Sequence, residues 1–178
     1  MITLPKVPIV KEIKFLGVII SEGLHWKSHV QHICSVASKR IYALRILKRT
    51  TTLSTDELTM IYNAVIRSIL EYASPSFGNL PCGLAKMIDR IQSRCHRIIC
   101  APEIRTSCKC DRFSSLSIRR QNASLKLLKN ALSQEHVLHS VAPRQSAKTG
   151  RLILPPTSTT RFLTFIPASA ILMNLNIT

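Results

Sequence analysis

Two groups of side chains in this sequence could do chemistry: thiols with imidazoles, and a large excess of cations. Cys95, His96, Cys100, Cys108 and Cys110 lie close together in the chain and invite a zinc reading. Structural zinc sites use cysteine pairs a few residues apart. Cys108-Lys-Cys110 is closer than that pattern, and Cys95 falls on the apolar side of a helical repeat. The thiols therefore read as small buried hydrophobes and loop thiols rather than metal ligands. A catalytic histidine needs a nucleophile or acid partner. His25, His29, His32, His96, His136 and His139 have no recognisable Ser or Cys elbow beside them. None is assigned a catalytic role, and His29 is expected to pack or hydrogen-bond between the first turn and the first helix.

The cations carry the stronger signal. Lys and Arg total 25 against 9 Asp and Glu, a net charge of +16. Such an excess repels itself unless an anionic partner offsets it. Nucleic acid is the commonest such partner, with a membrane surface or an acidic protein as the alternative. The cations are spread along helical segments, not gathered in a tail, which favours a basic folded face. Lys39, Arg40, Arg45, Lys48 and Arg49 fall in one segment, and Arg90, Arg94 and Arg97 recur at helical spacing in another. Such residues neutralise phosphates and give salt-dependent, sequence-independent binding. A solvated charged surface has the same composition. Tyr62 and Tyr72 read as core residues with the hydroxyl at the rim, and base stacking is the lesser alternative.

These residues need elements to hold them. Ile13 to Ile20 is rich in β-branched residues and predicts a strand, and Ser21-Glu-Gly23 a turn. Trp26, Val30, Ile33, Ala37, Ile41, Leu44 and Leu47 step by three or four and predict a helix, with the cations on its other surfaces. Ser54-Thr-Asp-Glu57 is a capping box that starts a second helix. Its apolar stripe runs from Leu58 to Ala73, and Pro75 stops it. A third helix is expected from about Leu84 to Cys100, with Met87, Ile88, Ile91, Cys95, Ile98 and Ile99 inward. A fourth is expected over Ser117 to Leu132, anchored by Ile118, Leu125, Leu128 and Leu132. Beyond Pro143 the chain is rich in Pro, Ser and Thr, with short extended pieces at Leu152 to Leu154 and Arg161 to Ile166.

The expected fold is mainly α. A strand or hairpin occupies residues 1–25, a basic helical bundle 26–135, and an irregular segment 136–178. The length suits about one domain with its own core. Met1 to Lys6 lacks the apolar core of a signal peptide, and no apolar run reaches the ~18–20 residues of a membrane span. An intracellular setting, in nucleus or cytoplasm, with reduced thiols is expected.

Residues 13–100 also resemble a known family. Lys14-Phe-Leu-Gly-Val18 followed by Leu24-His-Trp-Lys27 and His29 is similar to the stretch after the catalytic motifs of LINE-type, non-LTR retrotransposon reverse transcriptases. Ala37-Ser-Lys-Arg40 with Leu44-Arg45, then Ile69-Leu-Glu-Tyr-Ala-Ser-Pro75 with Gly78-Asn79, continue the resemblance in order. Ile88-Asp-Arg-Ile-Gln-Ser-Arg94 with Arg97-Ile-Ile99 completes it. Beyond residue 112 it rests on Arg161-Phe162, Phe165-Ile-Pro167 and Asn174, with Met173 where the family usually has Trp.

The resemblance implies that Phe15, Leu16 and Gly17 belong to a primer-grip hairpin at the edge of the palm. A plain core strand containing a glycine is the alternative. The helices after it would form the thumb, which packs on template–primer RNA or DNA. Catalysis in that family needs aspartates that hold Mg²⁺, including a Tyr-x-Asp-Asp motif. The aspartates here are Asp56, Asp89 and Asp111, none in such a motif. The implied chain is a fragment of an RNA-directed DNA polymerase, inactive alone, whose Mg²⁺ would belong to a palm and fingers lying elsewhere. A non-functional relic or a stand-alone basic helical interaction protein is the alternative.

Overall fold

A computed structural model describes residues 10–100, 113–144, 146, 148–149 and 151–153. Cys108, Cys110, Asp111 and the segment from Arg161 to Ile166 lie outside the described residues. The fold is mainly helical behind a two-stranded hairpin.

The segment expected to be a strand or hairpin is a hairpin. β1 (Glu12–Phe15) pairs antiparallel with β2 (Val18–Ser21), and Phe15 faces Val18 across a two-residue turn. Both turn residues have positive φ, 45° at Leu16 and 81° at Gly17. That pattern is the mirror-image turn whose twist matches a hairpin. Gly17 adopts it freely, whereas Leu16 is held there against its own Cβ. The β-branched run on either side hid the turn, because Leu is not a turn residue.

α1 (Lys27–Thr50) buries His29, Val30, Ile33, Cys34, Ala37, Ile41 and Leu44. α2 (Thr55–Tyr62) starts at the capping box. Ser54 Oγ accepts from the Glu57 amide at 3.3 Å, and Glu57 Oε2 accepts from the Ser54 amide at 2.8 Å. The helix then continues through a π-helical turn (Asn63–Arg67) into α3 (Ser68–Glu71). It therefore ends before the expected Ala73. Ala73 has φ 52°, and Ser74–Phe77 form a 3-10 turn with Pro75 near its start. α4 (Cys82–Ile99) follows. α5 (Leu116–Ala131) comes after it, and a short 3-10 turn (His139–Val141) after that.

The core joins α1, the α2–α3 helix and α4, with Phe77 from the 3-10 turn and Leu116 from α5. Trp26 and Lys27 at the start of α1 and Pro81 and Leu84 at the start of α4 line one groove of about 800 Å³. At the other end Lys48 of α1 reaches the last carbonyls of α4. The two helices thus run parallel, with α2–α3 returning between their ends.

α5 differs from expectation. Ile118, read as an anchor, is exposed. The buried positions are Leu116, Arg120, Ser124, Leu128 and Ala131, a four-residue rhythm that crosses two polar residues. Near the end, Ser146 and Ile153 donate backbone hydrogen bonds to Arg151 and Arg144, and Leu152 is buried.

Candidate nucleic-acid interface

α4 presents one unbroken line of charge. Its buried residues are Ile88, Ile91, Cys95 and Ile99, so the opposite face carries Lys86, Arg90, Arg94 and Arg97. At three- and four-residue spacing these four cations lie along one exposed stripe. Lys86 continues the arginine line by one turn, although the sequence pattern points only to the three arginines.

α1 distributes its cations differently. Lys39, Arg40, Arg45 and Arg49 are exposed, but on different sides of the helix. Arg45 and Arg49 share a flank with Tyr42, which is 66% exposed. Tyr42 thus lies one turn from Arg45 and two from Arg49 along that flank, a placement with no signal in the sequence beyond spacing.

Lys48 is not on this surface. It continues the four-residue step from Ala37, Ile41 and Leu44, so it lies on the buried side of α1. Its ammonium donates to the Ile98 carbonyl and to the Ile99 carbonyl at 3.0 Å. The charge meets the negative pole of α4 and satisfies carbonyls that lack helical partners. Expected as a phosphate contact, Lys48 is instead the cap of α4. That cap brings the last turns of α1 and α4 together, so Arg45, Arg49, Arg94 and Arg97 gather at one end of the bundle.

At the hairpin, Phe15, Leu16 and Gly17 are exposed, Phe15 by 60% and Leu16 by 75%. They are therefore not a plain core strand. Tyr72 holds the tip in place: its hydroxyl donates to the Leu16 carbonyl at 2.9 Å, and its ring lies 3.4 Å from where a Cβ on Gly17 would sit. Tyr72 is itself more than half exposed, so it is a brace and not the core residue expected. His29 secures the other strand. It is fully buried, and its Nδ1 accepts the Ile19 amide at 3.3 Å. Its ring packs edge-on to Phe77. Burial, then the nearby His32, lowers its pKa, so the neutral ring is favoured.

Tyr62 is buried as expected, and burial raises its pKa strongly. Burial likewise pushes the Cys95 thiol up to about 12, which leaves it a small hydrophobe at neutral pH. Among the described residues, no three His, Cys, Asp or Glu side chains come together. Asp56 sits in the first turn of α2, Asp89 on α4, and Glu71 pairs with Arg67 and Arg119. These carboxylates do not fit a Mg²⁺ centre. No described helix is long and apolar enough to cross a membrane. No protein-family model, curated protein or solved structure matches this chain.

Proposed function

We propose that this chain is the primer-grip edge and thumb of a LINE-type, non-LTR retrotransposon reverse transcriptase. On this reading it holds template–primer nucleic acid by the phosphate backbone and leaves polymerisation to a palm and fingers elsewhere. The observation that carries the reading is a set of exposed cations along α1 and α4: Lys39, Arg40, Arg45, Arg49, Lys86, Arg90, Arg94 and Arg97. Four of them gather where the two helices end together. Support also comes from the hairpin. A leucine held at positive φ on an exposed tip is a local cost, and such costs cluster at functional surfaces. The cellular setting that suits this role is the nucleus or cytoplasm.

A fluorescence titration against an RNA–DNA hybrid tests the reading. Arg90→Gln with Arg94→Gln should weaken binding at least tenfold if each phosphate contact contributes ~1 kcal/mol. Unchanged affinity in that double variant would remove the stripe from the interface.

A second reading draws on the exposed apolar residues of the hairpin, Val10, Ile13, Phe15 and Leu16. Produced without the rest of a polymerase, a decayed relic would leave this patch uncovered and self-associate through it. A monomer that unfolds in one cooperative step would exclude that reading.

A further inference from the structure

α5 is docked through a face that opposes its own docking. Of its buried residues, Arg120 is 2% exposed, and its Nε and Nη1 groups have no hydrogen-bond partner among the described residues. Ser124, one turn on, is also buried, and its Oγ likewise has no partner. A guanidinium keeps its charge even when buried. Burial lowers the Arg120 pKa, against the opposite pull of Asp89 and Glu71. Buried donors without acceptors cost stability, and a charged group costs more. What holds α5 down is Leu116, Leu128 and Ala131, together with Arg119. The Arg119 guanidinium grips both oxygens of Glu71, through Nε and through Nη2 at 3.1 Å. Glu71 also faces Arg67 at 3.6 Å. The helix rests chiefly on the Ser74–Phe77 turn, and only lightly on α4.

We propose that α5 is a latch: a helix held by the Glu71–Arg119 pair against the burial of Arg120, and released as a unit from the rest of the bundle. Release rehydrates Arg120 and frees Arg119. Arg119 then lies on the same side as the already exposed Lys126, and Arg120 opens on the opposite side from Lys129, so the released helix offers cations around its girth. A polyanion gains contacts only in the released state and therefore favours it. That last step rests on the nucleic-acid reading, whereas the latch itself does not.

Native-state hydrogen exchange on the full chain, read by peptide, separates the two. In free protein, α5 amides should exchange at least ~10-fold faster than those of α1 and α4, because local units open below the global free energy. Arg120→Met should slow α5 exchange at least ~10-fold, since an apolar side chain removes the buried charge. Glu71→Gln should speed it. Exchange of α5 in step with α1 and α4, or no slowing in Arg120→Met, overturns the latch. With saturating RNA–DNA hybrid, α5 exchange should rise further. Bound hybrid with α5 exchange unchanged or slowed overturns the coupling alone. Failure of the hybrid to bind counts against the nucleic-acid reading, while the free-protein comparison still decides the latch.

Discussion

Lys48, expected at the surface, and Arg120, of which nothing was expected, both lie inward for the same reason. Each continues a four-residue apolar step, from Leu44 in α1 and from Leu116 in α5, so helical geometry alone places both inward. A charged side chain is ordinarily read as exposed, and that expectation overrode the period at Lys48. Lys48 has carbonyls to meet, so Lys48→Met should destabilise by about 1–2 kcal/mol in urea unfolding, the worth of charged hydrogen bonds. Its affinity for nucleic acid should change less than that of Arg45→Gln. Leu16→Asn should do the reverse of Lys48→Met, since Asn before Gly suits a turn with two positive φ values. A rise in Tm for Leu16→Asn checks it. His29 sets a pH response. Its folded pKa lies below the ordinary ~6.5, so its contribution is complete above that value. The contribution is lost as pH falls through the lowered folded pKa, because protonating Nδ1 also breaks the bond to the Ile19 amide. Exchange protection at Ile19 should drop on acidification below about pH 6.5, and His29→Phe should remove that dependence.

The helices were legible because each carries a sustained three-to-four-residue apolar period over many turns. The start of α2 was legible to the residue, because a capping box is a local chemical signature. Ser54→Ala should lower Tm by about 2–4 °C without changing the other helices. The π turn at Asn63–Arg67 left no mark, since one extra residue per turn barely disturbs a wide apolar stripe. The sequence left strand or hairpin open there, because the turn uses Leu16. The α4 stripe was mostly legible from Arg90, Arg94 and Arg97. That its end lies level with Arg45 and Arg49 was not, because that depends on α1 and α4 running parallel, a tertiary fact with no local signal.

For the whole molecule, the net charge of +16 matters only through where it is placed. Some of it is engaged by the fold itself: Lys48 at the end of α4, Arg119 on Glu71, and Arg120 by burial. Nine cations on α1 and α4, Lys27 included, remain on the surface, and the central claim is that phosphates meet a set of them. A salt series of the RNA–DNA hybrid titration measures this directly. Engagement of four to eight phosphates predicts a slope of log affinity against log salt of about −3.6 to −7. A slope near zero, or no binding at low salt, would contradict the claim.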